Sequence, residues 1–157
     1  AHAQLGIGAD NSGKLVATVK KEAKIAAFRN QIDYILVDGS PGIGCPVISS
    51  LSGADFVLLV TEPTRSGLCD LQRVWELTTK FKIPAGCIIN KKDINLPISE
   101  EITQYLQKNG IYLVCSLPYD NDFSQAITTG QSLVEYNPSK WKKLFVNIWK
   151  TITKELI

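Results

Sequence analysis

An aspartate at the end of an apolar run, followed by a glycine-rich turn, is the strongest chemical pattern in this sequence. Within residues 33–50, DYILVDGSPGIGCPVISS, Asp38 ends the apolar run and Gly39, Gly42 and Gly44 follow it. A carboxylate in that place can hold a hydrated Mg²⁺, and glycines let backbone N–H groups approach a phosphate closely. The pattern also fits an ordinary strand that enters a tight turn and a helix N-cap.

A second polar cluster, Asn90-Lys91-Lys92-Asp93, follows the apolar residues of CIINKKD. Asn and Asp side chains at the end of a strand can hydrogen-bond a purine edge. The spelling N-K-x-D is the arrangement that reads guanine in many GTPases. A plain polar loop between a strand and a helix is the alternative interpretation. Asn90 and Asp93 are therefore candidate base-binding residues.

A third candidate segment, residues 116–136, has the order strand, proline-containing loop and helix. The backbone of the loop 118–120 can wrap around a purine base, and the ring of Tyr119 can lie against it. The alternative is a simple helix entry with Asn121 or Asp122 as its cap.

Residues 8–15, GADNSGKL, nearly spell the phosphate-binding loop G-x-x-x-x-G-K-[ST]. Leu15 stands where that loop needs a hydroxyl for Mg²⁺, and the preceding QLGI is too short for the buried strand that the loop requires. We therefore predict a helix from about residue 14 to residue 30, capped by Ser12, in place of a phosphate loop.

Four short apolar runs rich in Val, Ile, Leu and Tyr predict strands that are buried on both faces. They cover residues 32–37, 56–61, 87–90 and 111–117. Segments of helical period follow the second and third runs, and a last helix is expected from about Ser139 to the end, with Pro138 stopping what precedes it. This alternation predicts one α/β domain, residues 1–157, with a doubly wound, mainly parallel sheet flanked by helices.

The composition excludes several kinds of protein and site. A formal net charge of only +2 over 157 residues gives no argument for binding nucleic acid. The longest apolar run, residues 56–60, is far shorter than the roughly 20 residues of a membrane-spanning helix. No secretory signal is visible, so a cytoplasmic protein is expected. Four scattered cysteines argue against a metal cluster within the chain, and the single histidine, His2, argues against Ser-His-Asp chemistry.

The predicted last helix is amphipathic, with one apolar face and several lysines elsewhere. The apolar face carries Trp141, Leu144, Phe145, Ile148, Trp149, Ile152 and Leu156. A basic amphipathic helix with tryptophans can lie on a membrane. Packing of the apolar face on the sheet is the favoured interpretation.

Taken in order, DGSPGIGCPV, ADFVLLVTEPTRSGLCDLQR, INKKD-N and LPYD-FSQAI-TG-SLVEYNP resemble the MinD/ParA branch of the P-loop ATPases, over nearly the whole chain. The members that carry a ferredoxin-like insert with 4Fe-4S clusters are the most similar. The resemblance implies an ATPase that uses Mg²⁺ with ATP, works as a homodimer and has a glycine-rich phosphate loop with two lysines. This sequence contains no such loop. In a relative, the phosphate loop, the first strand, the switch I aspartate and the cluster cysteines would lie before Ala1.

The resemblance also assigns roles to individual residues. Asp38 matches the Walker B aspartate, which binds Mg²⁺ through water, and Gly42 matches the switch II glycine near the γ-phosphate. Asn90 with Asp93 matches the pair that reads the base, and the loop from Pro118 to Asp120 matches the one beside the base.

Two departures qualify these assignments. Cys69 stands where relatives commonly have histidine, which leaves open any role of that position. The N-K-x-D spelling would suggest guanine, so that adenine specificity depends on the resemblance and not on the residues.

The expected function is ATP hydrolysis that switches a dimer or loads and moves an iron–sulfur or other protein cargo, with an iron–sulfur or redox protein as a candidate partner. Phosphoryl transfer depends mostly on positioning and electrostatics. Without the two-lysine loop, the chain alone should therefore bind Mg·ATP weakly or not at all and be inactive. Two alternatives stay open, a non-catalytic interaction module on the same scaffold and membrane association through residues 139–157.

Overall fold

The computed structural model of the protein describes residues 12–156. These residues form two compact units, the first of residues 12–54 and 73–83 and the second of residues 55–72 and 84–156. One helix, α3 (Arg65–Lys80), contributes residues to both units. A single domain over residues 1–157 stays a prediction.

A parallel sheet of three strands forms the centre of the second unit. The strands lie in the order β1 (Val57–Thr61), β2 (Ala85–Ile89) and β3 (Tyr112–Ser116), with β1 and β3 both paired to β2. Both pairings are parallel, as the alternation of strands and helices predicts. The predicted fold class, an α/β fold with a parallel sheet flanked by helices, is confirmed.

The helices of the second unit connect and follow the strands. α4 (Leu96–Lys108) links β2 to β3, and the Asn95 side chain caps it by accepting a hydrogen bond from the Ile98 N–H at 3.3 Å. The helices after β3 are α5 (Asn121–Thr128), α6 (Leu133–Tyr136) and α7 (Pro138–Leu156). Pro138 begins α7, one residue before the predicted start at about Ser139. Proline suits this place because the first N–H of a helix has no partner within the helix.

Helices cover both faces of the sheet. Ile88 of β2 belongs to a hydrophobic cluster with Ile148 and Ile152 of α7. Its neighbour Ile89 lines a cleft together with residues of α4. Because successive side chains of a strand point to opposite faces, α7 lies on one face of the sheet and α4 on the other.

The apolar face of α7 packs on the sheet, as the favoured interpretation holds. Trp141 is buried, with 3% of its surface exposed, whereas Trp149 is 43% exposed. The side chain of Leu156 lies outside the described part of the chain. Among residues 12–156, no helix combines the length and the apolar character needed to cross a bilayer.

The first unit is built on α1 (Ser12–Arg29) and α2 (Cys45–Leu51), which pack against each other. The ammonium of Lys20 links them by donating to three backbone oxygens at 2.6 to 3.1 Å, those of Ser49, Ser50 and Ser52. These contacts satisfy carbonyl groups that the C-terminal end of α2 leaves free. Burial lowers the pKa of Lys20, and the nearby charge of Lys24 lowers it further.

The near-phosphate-loop sequence falls on the start of α1. Gly13 and Lys14 lie in its first turn, and Lys14 is exposed. A Cβ atom at Gly13 would lie 3.1 Å from the Ser49 Oγ, so this glycine permits a close approach of α1 to α2. Residues 8–11 lie outside the described part. The helix predicted in place of a phosphate loop is present.

The predicted first strand, residues 32–37, is not a strand. The segment has no regular secondary structure, and its apolar side chains are exposed, Leu36 at 88% and Ile32 at 56%. A strand needs a neighbour that pairs with its N–H and C=O groups, and no strand in residues 12–156 pairs with this segment. Its apolar composition predicted that the segment is buried, but the described residues do not bury it.

Candidate nucleotide-binding site

Backbone hydrogen bonds join the segments that follow the three strands. The Asn90 N–H donates to the Thr61 oxygen at 2.7 Å, and the Leu117 N–H donates to the Ile89 oxygen at 2.8 Å. The Lys92 N–H in turn donates to the Leu117 oxygen at 2.9 Å. The loop after β2 is thereby held between the ends of β1 and β3, at the edge of the sheet where α/β proteins bind ligands.

Two of the segments predicted to bind the base, residues 90–93 and the loop 118–120, are in contact through Asp93. Its Oδ1 accepts a hydrogen bond from the Tyr119 N–H at 2.7 Å. The Tyr119 side chain is 51% exposed and Pro118 is exposed as well. The structure therefore places the candidate carboxylate and the candidate base loop side by side, with an aromatic ring open to a planar ligand.

The Asn90 side chain contacts an acidic residue that the sequence analysis missed. Its Nδ2 donates to the Glu62 Oε1 at 3.4 Å, and the Lys91 ammonium pairs with the same oxygen at 2.8 Å. Glu62 directly follows β1. The sequence carries one signal for Glu62, which is an acidic residue directly after a strand. The same kind of signal identified Asp38 as a candidate.

Asp120 is a structural cap whose carboxylate is already occupied. Its Oδ1 accepts from the Asp122 N–H at 2.9 Å and so caps α5, where the sequence analysis named Asn121 or Asp122 as the cap. Its Oδ2 pairs with the ammonium of Lys140 on α7. This pairing holds the pKa of the Asp120 carboxyl below its ordinary value and raises the pKa of Lys140. A ligand beside this loop would meet the backbone of Asp120.

Asp122 ties α5 to the start of α7. Its Oδ2 accepts from the Trp141 indole N–H at 2.8 Å and from the Asn137 amide at 3.1 Å, and it lies 3.1 Å from the Lys140 ammonium. The hydrogen bond from Trp141 is the main cause that lowers the pKa of the Asp122 carboxyl. This network anchors the far side of the base loop, and sequence reasoning missed it.

A pH dependence follows from the lowered pKa of Asp122. A carboxyl whose pKa is lower in the folded state stabilises the fold above its unfolded pKa, and the stabilisation is lost as pH falls through the folded value. We expect the urea midpoint of the wild type to fall on acidification below pH 3.8, the ordinary value for aspartate. Asp122→Asn should lose less over the same interval. The matched substitution at the exposed Asp55 should follow the wild type, and equal losses in all three proteins would contradict the prediction.

Asp38 and Gly42, the candidate Mg²⁺ and phosphate residues, lie in the first unit, in the exposed stretch between α1 and α2. Gly42 has a φ of +88°, a conformation that favours glycine. A Cβ atom added at Gly39 or at Gly42 would meet nothing within 4 Å. Within the described part of the chain, this turn is open to an approaching group.

The cysteines fall into two kinds. Cys87 is buried, which raises the pKa of its thiol to about 12, and burial raises the pKa of Cys115 as well. Cys45 and Cys69 are exposed. In the part of the chain that the structure describes, no three side chains of His, Cys, Asp or Glu are grouped so that they could hold a metal ion.

The sequence matches no protein-family model, but it has relatives among curated proteins of Methanocaldococcus jannaschii. It is 34% identical to the uncharacterized protein MJ0578 over 92 residues, which are 59% of this chain and 32% of that protein. It is 29% identical to the uncharacterized protein MJ0579 over 133 residues, 83% of this chain and 45% of that protein. The chain therefore spans less than half the length of these relatives.

Two solved structures share the fold. The cell division ATPase MinD of Pyrococcus furiosus superposes with a TM-score of 0.69 and 26% identity, over 92% of this chain and 59% of that chain. The septum site-determining protein MinD of Pyrococcus horikoshii, solved in complex with Mg-ADP, superposes with a TM-score of 0.69 and 21% identity, over 90% of this chain and 56% of that chain. The chain thus has the fold of the MinD P-loop ATPases.

Proposed function

We propose that this chain belongs to an ATP-dependent enzyme of the MinD kind and binds the adenine nucleotide at the carboxyl ends of β1, β2 and β3. The observation that carries the proposal is the hydrogen bond from the Tyr119 N–H to Asp93, which unites the two segments that base binding would use. The Pyrococcus horikoshii protein, which shares the fold, was solved in complex with Mg-ADP, and this supports a nucleotide bound with Mg²⁺ as the ligand.

The base would lie between the loop after β2 and the loop after β3. The half-exposed ring of Tyr119 offers a flat apolar surface, and the backbone from Pro118 to Asp120 offers polar groups along the rim. Asn90 and Asp93 would supply the side-chain groups that meet the edge of the base. All of these residues belong to one compact unit.

The phosphates and Mg²⁺ would be served by the turn that contains Asp38 and Gly42. Asp38 is exposed, and its carboxylate makes no hydrogen bond or ion pair with another described residue. Mg²⁺ in nucleotide sites keeps several waters and takes one or two carboxylates together with phosphate oxygens, so a single open carboxylate fits it. The turn around Gly42 leaves room for phosphate oxygens beside its N–H groups.

Mg²⁺ held by Asp38 through water would neutralise the charge of the β- and γ-phosphates during hydrolysis. The second unit's own contribution is to hold the base, whereas the place of Gly42 near the γ-phosphate is assigned by the resemblance alone. A homodimer, an iron–sulfur or redox protein partner, handling of cargo and a cytoplasmic location are further predictions for the whole protein. The homodimer depends on the resemblance to the MinD/ParA branch, and the iron–sulfur partner and the cargo depend on the likeness to its members with a 4Fe-4S insert.

Binding of Mg·ATP by the chain should be weak and should depend on Asn90. Saturation-transfer NMR detects weak binding, and we expect a signal from the adenine protons at millimolar Mg·ATP. Asn90→Ala should weaken binding about fivefold, the effect of one hydrogen bond. The matched change Asn147→Ala, at an exposed position of α7, should have no effect. Absence of any signal, or equal losses in the two variants, would refute the proposal.

A further inference from the structure

We propose that Glu62 is the residue that gives this site its preference for adenine over guanine, by fixing the orientation of the Asn90 amide. The inference rests on the proposed nucleotide-binding function and deepens it. The N-K-x-D spelling by itself suggests guanine, so the preference needs a physical cause outside these four residues.

The contact between Asn90 and Glu62 allows only one orientation of the amide. A carboxylate accepts hydrogen bonds and cannot donate them, so the group that meets the Glu62 Oε1 at 3.4 Å must be the Asn90 Nδ2. The Asn90 Oδ1 then points away from Glu62, and it accepts no hydrogen bond from another described residue. Asn90 is partly exposed, and the end of its amide that has no partner among the described residues is therefore an acceptor.

An acceptor without a partner distinguishes the two purines. At position 6, adenine carries an amino group, which donates, whereas guanine carries an oxygen, which accepts. The Asn90 Oδ1 can accept a hydrogen bond from the amino group of adenine. In guanine it would meet an oxygen, which is a second acceptor. Adenine is favoured as long as the amide cannot turn over.

Lys91 and the turn around it hold the carboxylate in place. The Lys91 ammonium pairs with the same Glu62 oxygen at 2.8 Å. Lys91 has a φ of +53°, which side-chain-bearing residues adopt rarely and which turns the chain sharply after Asn90. The Ile94 N–H closes the turn by donating to the Lys91 oxygen at 3.1 Å.

The backbone of Glu62 is fixed from the other side by α3. A Cβ atom at Gly67 would lie 2.4 Å from the Glu62 oxygen, so only glycine permits this approach. The Thr61 hydroxyl donates to the Gly67 oxygen at 3.0 Å, and Pro63 is fully buried. The side chain of Glu62 therefore extends from a backbone segment that is held in place.

Asp93 is less available for guanine than the spelling suggests. Carboxylates read guanine by accepting from the N–H donors of its edge. The Asp93 Oδ1 already accepts from the Tyr119 N–H at 2.7 Å. One oxygen of the Asp93 carboxylate thus holds the loop 118–120 in place. This role does not depend on which base is bound.

The test is the ratio of ATP to GTP affinity, measured by NMR titration with each Mg·nucleotide, in the wild type, in Glu62→Gln and in Glu101→Gln. A glutamine both donates and accepts, so the Asn90 amide can turn over and present its NH₂ to guanine. We expect a wild-type preference for ATP that falls about fivefold in Glu62→Gln. Glu101 also pairs with a basic residue, Arg65 at 2.8 Å, and its change should leave the ratio unaltered.

The outcomes separate this inference from the proposed function. If neither nucleotide binds to the wild type, the proposed function fails and the inference with it. If both bind but the wild type shows no preference, or Glu62→Gln keeps the full preference, the inference alone is overturned. Folding of Glu62→Gln is checked on the same samples, since its free spectrum should differ from the wild type only near Asn90 and Lys91.

Discussion

Replacement of Trp141 by alanine should lower the free energy of unfolding by about 3–5 kcal/mol, the range for truncation of a buried tryptophan. Trp141 is 3% exposed, and its ring packs edge-on against Phe123 with centroids 5.3 Å apart. Its indole N–H also donates to the Asp122 Oδ2 at 2.8 Å. The substitution therefore creates a cavity and removes the main hydrogen bond of a carboxylate.

The same helix offers a matched control for Trp141→Ala. Trp149 lies on α7 too but is 43% exposed, so Trp149→Ala should cost about 1 kcal/mol or less. Urea denaturation followed by circular dichroism measures both. Equal losses for the two tryptophans would contradict the packing of α7 described above.

Gly67→Ala should destabilise the protein by about 2 kcal/mol, although alanine is the better helix former by about 1 kcal/mol. The added Cβ atom would lie 2.4 Å from the Glu62 backbone oxygen and 3.0 Å from the Thr64 Oγ1. A backbone oxygen cannot turn aside as a flexible side chain can, so the segment after β1 must shift. Amide resonances of Glu62 and Asn90 should move with it.

Cys69→Ala is the control for Gly67→Ala, because Cys69 lies exposed on the same helix. We expect a change within about 0.5 kcal/mol there. A stabilised Gly67→Ala, with helix propensity as the dominant effect, would show that the loop after β1 is not held against α3.

The three strands and their parallel order were predictable because each is a short apolar run between turn residues, which is the mark of a strand buried on both faces. The segment 32–37 has the same mark and is not a strand. The apolar composition of a segment shows that its side chains favour burial, but a strand also needs a neighbouring strand to pair with. No strand in residues 12–156 is paired with the segment 32–37.

The site was predictable only where a single stretch of chain carries the signal. Asn90 and Asp93 could be named because they follow a strand, and the contact of Asp93 with the Tyr119 loop agrees with their use in one site. Glu62 lies 28 positions from Asn90 and Lys140 lies 20 positions from Asp120. Contacts between polar residues so far apart leave no local pattern, so sequence reasoning missed them. The cap of α5 was placed one or two residues too late because Asp120, Asn121 and Asp122 are all residue types that cap helices.

The most direct test of nucleotide binding at this sheet edge is a map of backbone amide shifts on addition of Mg·ATP to the ¹⁵N-labelled chain. We predict shifts that cluster after the three strands, at Glu62, at residues 90–93 and at residues 119–120. Shifts confined to α1, α2 or α7, or none at millimolar nucleotide, would contradict it.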